Sequence, residues 1–233
     1  AAKDLPESLP AKVVSQYNLP DRYTALKNIH FPESWEALRR AKQRFVFEEL
    51  FLLQCGLLYY RQQSHDNREG IKHAVDGKLV QDVMQGLPFE LTAAQQQAWH
   101  EISLDMQDKK PMHRILQGDV GSGKTVISAL ALAKAVENGY QGCIMVPTEI
   151  LAAQHFETLE QYLQPYGVRI ALLTGGMRAK ARRELLLNLE LGLVDVVVGT
   201  HALLEEDVRF ANLSLTVTDE QHRFGVEQRA RLS

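Results

Sequence analysis

Residues 118–125 of this 233-residue chain read Gly118-Asp119-Val120-Gly121-Ser122-Gly123-Lys124-Thr125. This stretch, the phosphate loop, matches the pattern G-x-x-x-x-G-K-[ST], whose glycines let backbone N–H groups turn inward around a dense negative charge. The residues that follow predict a helix, and its N-terminus adds the positive end of the helix dipole. In this pattern Lys124 reaches the β- and γ-phosphates of a nucleotide, and the Thr125 hydroxyl binds Mg²⁺. The loop therefore predicts a nucleotide phosphate site between a strand and a helix.

A magnesium-dependent nucleotide site also needs an acidic residue at the end of another strand. Residues 213–218 have the composition of a strand and lead into Asp219 and Glu220. We expect Asp219 to hold Mg²⁺, partly through water, and Glu220 to orient or deprotonate the attacking water. Acidic residues also follow strands as turn formers and helix caps, so this pair is informative only together with the phosphate loop.

Short β-rich runs alternate with amphipathic stretches after residue 88. The predicted strands are 114–117, 142–146, 168–173, 194–199 and 213–218, and the predicted helices are 92–106, 124–137, 149–162 and 178–191. This alternation predicts an α/β fold of the P-loop NTPase (RecA-like) type, a parallel sheet with helices on both faces. Ligands of such sheets bind at the carboxyl ends of the strands.

The preceding residues, 1–87, have a helical pattern. From Trp35 onward, apolar residues recur at three-to-four spacing, which predicts an amphipathic helix. A polar loop is expected over 62–70 and a shorter helix over 71–84. We therefore predict a helical segment, 1–87, followed by the α/β domain, 88–233.

Charge and cysteine content exclude several classes of protein. Twenty-six basic against 29 acidic residues give a net charge of -3, which excludes a globally basic nucleic-acid binder but not a local basic face. Cys55 and Cys143 are too isolated to indicate a disulfide framework or a zinc site. No apolar run reaches the length of roughly 18 residues that a membrane span needs. We expect a cytoplasmic protein that does not bind membranes.

Several motifs resemble the ATPase core of superfamily 2 helicases, and most closely the RecG-type DNA helicases of bacteria. Besides the phosphate loop, these are the runs 89–92 with Gln95, 146–151, 173–176, 198–202 and 219–226, together with the N-terminal run 28–35. The resemblance implies an ATP-dependent DNA helicase that remodels stalled replication forks and branched recombination intermediates in DNA repair. It also implies that 1–87 links a wedge domain to the motor and that 88–233 is the first RecA-like lobe.

The resemblance assigns further roles to single residues. Gln95 contacts adenine and Phe89 packs near the base, although Thr92 and Gln95 also form the sequence pattern of a helix capping box. Gln221 and His222 lie beside the γ-phosphate and couple nucleotide state to DNA binding. The expected DNA-binding residues are Thr148, Glu149, Thr174, Gly175, Arg178, Lys180, Thr200 and His201. Thr148 is equally a natural helix cap, and the basic cluster 177–183 equally a solvated helix face.

By the same resemblance, the chain is a fragment that stops before the second RecA-like lobe and its arginine finger. We expect it to bind ATP and Mg²⁺ weakly and, alone, to hydrolyse ATP very slowly. The expected partners of the parent protein, a monomer, are branched or forked DNA, the second lobe and the wedge domain. The alternatives are a transcription-repair coupling translocase, a P-loop small-molecule kinase and a nucleotide-gated binding module without catalysis.

Overall fold

The structure, a computed structural model, describes residues 5–66, 70–119 and 121–220. The chain divides into two compact units, Ala1–Arg68 and Glu69–Ser233. None of the helices in these ranges is long and apolar enough to cross a membrane.

The first unit is helical. It contains α1 (Ala11–Gln16), α2 (Arg22–His30) and the long α3 (Trp35–Asp66), and α2 packs on α3. The fully buried Arg44 of α3 donates from Nε to the Pro20 carbonyl at 3.1 Å and pairs with the carboxylates of Glu7 and Glu48. These bonds attach the N-terminal residues to the middle of α3.

In its described residues, the second unit is a four-stranded sheet with helices on both faces. Its elements are α4 (Lys78–Gln85), α5 (Ala93–Met106), α6 (Lys124–Glu137), β1 (Gln141–Met145), α7 (Glu149–Leu163), β2 (Ile170–Leu173), α8 (Ala179–Glu190), β3 (Val196–Gly199) and β4 (Leu213–Thr218). The strand order is β2-β3-β1-β4, and all pairs are parallel. The predicted α/β fold is therefore confirmed.

Alternate residues of β1, β2 and β3 enter two separate cores. Ile144 and Val198 pack with α4 to α7 on one face of the sheet, whereas Cys143 and Val197 pack with α8 on the other. Burial of the Cys143 thiol raises its pKa to about 11, so that thiol is part of the core rather than a reactive group.

The carboxyl ends of the four strands lie level with one another. Met145 of β1 is in register with Gly199 of β3 and with Thr218 of β4, and Gly199 is in register with Leu173 of β2. The residues that follow the strands therefore meet along one edge of the sheet, where ligands of this fold bind.

The predicted strand at 114–117 is wrong, because these residues form no strand in the structure. The Arg114 guanidinium instead pairs with Glu101 at 2.5 Å and Asp105 at 2.7 Å on α5, and Ile115 is 80% exposed. Of the two apolar residues in this run, Leu116 packs against the core, whereas Ile115 is in solvent. The phosphate loop thus follows an extended segment rather than a strand.

The predicted bounds of one loop and one helix were also wrong. The predicted loop at 62–70 begins too early, since α3 continues to Asp66 through residues such as Gln62 and Gln63 that tolerate a helix well. Residues 67–69 of this loop lie outside the described ranges. The predicted helix over 71–84 is shorter, because α4 begins at Lys78. Upstream, His73 N–H donates to the Met106 carbonyl at 2.9 Å and Ala74 N–H to Asn138 Oδ1 at 2.7 Å.

The division between the units also falls earlier in the chain than the predicted boundary at 87/88. It lies between Arg68 and Glu69, because α4 packs on α6 and its residues Val80 and Val83 belong to the core of the second unit. The predicted boundary would place this core helix in the helical segment.

Candidate nucleotide and DNA site

The phosphate loop makes a tight backbone turn that ends at the start of α6. Gly121 and Gly123 have φ angles of 80° and 82°, in the left-handed region that glycine adopts readily. Among the described residues, no side chain caps α6 at Gly123, so the donors of its first turn can serve an anion. Lys124 Nζ donates to the carbonyl oxygens of Gly118 at 2.8 Å and Asp119 at 2.9 Å. Of the predicted loop residues, Val120 lies outside the described ranges.

Gln95 forms the capping box and also reaches the phosphate loop. Its Oε1 accepts from the Thr92 N–H at 2.8 Å, while Thr92 Oγ1 accepts from the Gln95 N–H at 3.3 Å. The remaining amide nitrogen donates to the Ser122 carbonyl at 2.9 Å. The structure therefore gives Gln95 a role in holding the phosphate loop, and its contact with adenine stays a prediction.

Phe89 lies at the edge of a cleft of about 520 Å³. The ring is 43% exposed, and Met84, Leu87 and Gln96 also line the cleft. A half-exposed aromatic ring beside a partly apolar cleft can stack on a planar base. The packing of Phe89 near a nucleobase stays a prediction.

Asp219 is held at the carboxyl edge of the sheet by three contacts. Its N–H donates to the Met145 carbonyl at 2.9 Å, which continues the β4 ladder. Its Oδ1 accepts from the Glu220 N–H at 3.0 Å, and its Oδ2 accepts from His155 Nε2 at 3.0 Å. Glu220 has a φ angle of 54°, an uncommon conformation for a residue with a side chain. Gln221 and His222 lie outside the described residues.

His155 did not emerge from the sequence. It lies on α7, 64 residues before Asp219, and its side chain is 15% exposed. A single histidine within an amphipathic helix carries no motif of its own, so the pairing becomes visible only when the sheet brings α7 beside the end of β4.

The chemistry of these groups fits a nucleotide with Mg²⁺. Thr125 and Asp219 supply a hydroxyl and a carboxylate, and the phosphate loop supplies backbone donors. Within the described ranges, no three His, Cys, Asp or Glu side chains form a metal site of their own. One hydroxyl and one carboxylate suit Mg²⁺, which typically takes one or two carboxylates and completes its shell with phosphate oxygens and water.

The predicted DNA-binding residues follow β1, β2 and β3 along the same edge. Thr148 caps α7 by accepting from the Leu151 N–H at 3.3 Å, as its alternative interpretation required. Glu149 accepts from the Gly176 N–H at 3.1 Å and so holds residues 174–176, the glycine turn, to the start of α7. Thr148, Glu149, Gly175, Arg178 and Lys180 are exposed, and Thr174 is half-buried.

The other two predicted DNA-binding residues differ in exposure. Thr200 is buried, with 1% of its surface exposed, and its Oγ1 has no hydrogen-bond partner in the described part of the chain. His201 is exposed. Direct contact of the Thr200 hydroxyl with DNA therefore stays a prediction that requires this side chain to become accessible.

The basic cluster 177–183 is partly neutralised within the chain. Arg182 donates to Glu205 and Asp207, each at 2.7 Å, and so attaches α8 to the segment after β3. Arg178 and Lys180 precede this pair and remain on the surface. A positive face is thus left at the start of α8, beside the glycine turn.

A protein-family model described as DEAD/DEAH box helicase matches residues 92–233. The chain belongs to the DEAD/DEAH box helicase family. The matched range contains the phosphate loop, Asp219 and the strand ends of the carboxyl edge, so the family assignment and the geometry concern the same residues.

Curated members of this family resemble nearly the whole chain. It is 48% identical over 231 residues to a Bacillus subtilis protein named ATP-dependent DNA helicase RecG, covering 99% of this chain and 34% of that protein. A Synechocystis protein of the same name is 43% identical, with 100% of this chain and 28% of that protein covered. The chain thus spans about a third of the length of these relatives, and the expected resemblance to RecG-type helicases is confirmed.

A solved helicase structure agrees with this fold. The structure of RecG bound to a three-way DNA junction matches 96% of this chain and 31% of that chain, with a TM-score of 0.83 and 41% sequence identity. Because the match extends over nearly all residues, the helical first unit is shared with it as well as the α/β unit.

Proposed function

We propose that this chain is the nucleotide-binding lobe, with part of the DNA track, of an ATP-dependent DNA helicase of RecG type. The proposed activity of the whole protein is the remodelling of stalled replication forks and branched recombination intermediates in DNA repair. The observation that carries the proposal is the common edge of the sheet. Asp219 follows β4 there, and the candidate DNA-binding residues follow β1, β2 and β3, with the strand ends in register.

On the nucleotide side, each group has a distinct task. The phosphate loop and the start of α6 bind the phosphates, Thr125 and Asp219 hold Mg²⁺, and Glu220 orients or deprotonates water. When bound, ATP supplies the transferable phosphoryl group, and Mg²⁺ screens the negative charge of that group. Lys124 moves its ammonium from the Gly118 and Asp119 carbonyls to the β- and γ-phosphates. Gln95 holds Ser122 during this exchange, and Gln221 and His222 couple it to DNA binding.

On the DNA side, the surface suits a phosphate backbone rather than base edges. Arg178 and Lys180 are exposed cations, Gly175 permits close approach of the DNA backbone, and Thr148 caps the N-terminus of α7. We assign Glu149 an indirect role, since its carboxylate repels phosphate and already accepts from Gly176 N–H. Contacts of this kind bind DNA without reading its sequence, which suits an enzyme that recognises branched shapes.

The remaining domains of the whole protein are proposed by analogy with the relatives, since this chain spans about a third of their length. They are a second RecA-like lobe that supplies an arginine finger, and a wedge domain that engages branched DNA and is joined to the motor by the helical first unit. We further propose that the protein is a monomer and works in the bacterial cytoplasm. Without an arginine finger, hydrolysis falls by about 10³–10⁵-fold, so the lobe alone turns over slowly.

The test is the ATPase rate of the full protein with single-stranded, duplex and forked DNA. Strong stimulation by forked DNA, above that by the other two, supports the proposal. Lys124→Ala serves as the blank for contaminating ATPases. An ATPase rate that is the same with and without each of the three DNAs would contradict the proposal and favour a P-loop kinase.

A further inference from the structure

His155 lies on the second turn of α7 with its ring directed at the acidic residue after β4. Its Nε2 is 3.0 Å from Asp219 Oδ2. A carboxylate only accepts hydrogen bonds, so Nε2 carries the hydrogen. The other ring nitrogen, Nδ1, is buried and has no hydrogen-bond partner among the described residues. The bond to Asp219 is therefore the polar contact that orients this ring.

The carboxylate of Asp219 is thus held from both sides. Its Oδ1 accepts from the backbone N–H of Glu220, and its Oδ2 accepts from His155. The first bond is local and fixes the turn after β4. The second crosses to another element and fixes the plane of the carboxylate, as outer hydrogen bonds do for metal ligands.

The helix that carries His155, α7, is anchored on both sides of this residue. Ala152 and Leu159 of α7 are fully buried in the core of the second unit, and Thr148 caps the helix start. Because the helix is anchored on both sides of His155, its backbone places the ring where Nε2 can donate to Asp219.

We propose that His155 is a positioning residue that aligns Asp219 for the Mg²⁺ of a bound nucleotide. The proposal rests on the proposed function for the role of Asp219 as the magnesium carboxylate. His155 itself touches neither Mg²⁺ nor ATP and acts through Asp219. Its removal therefore weakens binding that depends on magnesium and spares binding that does not.

The test measures binding of a fluorescent ATP analogue by the full protein, in EDTA and across a magnesium titration. His155→Leu removes the hydrogen-bond donor, and His155→Asn places a donor too far from Asp219 to reach it. His155→Gln keeps a donor near the position of Nε2. Glu157→Ala, which changes an exposed residue of the same helix, is the control. We expect His155→Leu and His155→Asn to need about tenfold more Mg²⁺, within the range known for outer-shell partners of metals. His155→Gln and Glu157→Ala should match the wild type, and all variants should bind equally in EDTA.

The same substitutions in a protein that lacks the Asp219 carboxylate show whether His155 acts through Asp219. Asp219→Ala should raise the magnesium requirement, and adding His155→Leu to it should raise that requirement no further, since the two residues form one unit. Thermal unfolding of each variant confirms that it is folded, and His155→Asn serves if the leucine variant is not.

The proposal is overturned if His155→Leu and His155→Asn keep the wild-type magnesium requirement, or if they bind the analogue more weakly than the wild type in EDTA as well. It is likewise overturned if His155→Gln needs as much Mg²⁺ as His155→Leu. It is also overturned if Asp219→Ala leaves the requirement unchanged. Failure of the helicase function is separate, because it appears as an ATPase rate indifferent to DNA while the magnesium titration still reports on His155.

Discussion

Lys124 directs its ammonium at its own loop, with Nζ donating to the carbonyls of Gly118 and Asp119. These neutral acceptors are easily exchanged for phosphate oxygens, which attract a cation more strongly. We expect Lys124→Ala to reduce ATP turnover by about 10²–10³-fold, as the loss of a charge-stabilising donor does. The measurement is steady-state ATPase of the full protein. Lys72→Ala, an exposed lysine of the same unit, is the control and should change nothing; an active Lys124→Ala would contradict the phosphate role.

Glu220 follows Asp219 in a left-handed backbone conformation, next to the proposed magnesium carboxylate. If it orients or deprotonates water, Glu220→Gln keeps the shape but loses the base. We expect ATP binding as in the wild type and hydrolysis slowed by about 10²–10⁴-fold. Nucleotide binding and single-turnover hydrolysis separate the two effects, and a variant that still hydrolyses ATP would show that the base lies elsewhere.

His73 makes the stability of the second unit depend on pH. Its Nδ1 donates to the Met106 carbonyl at 3.2 Å, and its Nε2 accepts from Ser214 Oγ at 2.9 Å. Burial, the largest cause, and the charge of Lys134 hold its pKa below the ordinary value of 6.5. As pH falls through 6.5, the unfolded chain therefore takes up a proton that the folded chain does not.

The free energy that His73 contributes is thus present above pH 6.5 and is lost as pH falls towards its folded pKa. We expect thermal unfolding of His73→Gln to change less than that of the wild type between about pH 7 and about pH 5. His100→Gln alters an exposed histidine and should retain the wild-type dependence. Equal slopes for His73→Gln and the wild type would contradict the assignment.

At the scale of elements, the start of α6 depends on its neighbour α5. A Cβ at Gly123 would lie 2.3 Å from Gln95 Nε2, whereas a Cβ at Gly121 would meet nothing within 4 Å. Both glycines have positive φ angles, so alanine costs about 1–2 kcal/mol in backbone strain at either position. Comparing Gly123→Ala with Gly121→Ala therefore isolates the contact between α5 and the phosphate loop.

We expect Gly123→Ala to weaken ATP binding more than Gly121→Ala, because it also displaces Gln95 from Ser122. The measurement is equilibrium binding of a fluorescent ATP analogue. Adding Gln95→Ala should remove most of the difference between the two alanine variants, since the crowded amide is then gone. Equal losses at both glycines would mean that Gln95 does not support the loop.

Elements with a local sequence signature were predicted well. The bounds of α6 and β4 agree with the predicted 124–137 and 213–218, because a glycine loop and a β-branched run define them within a few neighbouring residues. The segment 114–117 has similar apolar residues, but it forms no strand, and Arg114 pairs with Glu101 and Asp105 of α5. Contacts of this kind depend on residues of another element and have no local signature.

At the scale of the molecule, a buried polar network joins distant segments of the second unit. Lys134 of α6 has a fully buried side chain, and its Nζ donates to Asp76 Oδ1 at 2.5 Å and to Ser103 Oγ of α5 at 2.8 Å. An uncompensated buried charge is costly, whereas an apolar replacement of the same length is not. The network thus fixes the segment before α4 against α5 and α6.

We expect Asp76→Ala to lower the free energy of unfolding by about 3 kcal/mol, near the low end for a broken buried pair because Asp76 is 29% exposed. Lys134→Met should cost less, and Asp76→Ala with Lys134→Met should cost less than Asp76→Ala alone. Hydrogen exchange of the α6 amides in the full protein measures this free energy, with the exposed Glu184→Ala as control. A larger loss for Lys134→Met than for Asp76→Ala would contradict the argument.

The sequence alone determined the phosphate loop, the acidic pair after β4, the α/β alternation and the resemblance to RecG-type helicases. Each of these features depends on short runs of neighbouring residues, whose chemistry or periodicity can be recognised without the tertiary structure. Only the tertiary structure decided that His155 holds Asp219, that Thr200 is buried, that Arg182 is paired, and that α4 belongs to the second unit. These features join residues far apart in the chain, and they follow from sheet register and from competition for buried partners, which local patterns do not encode.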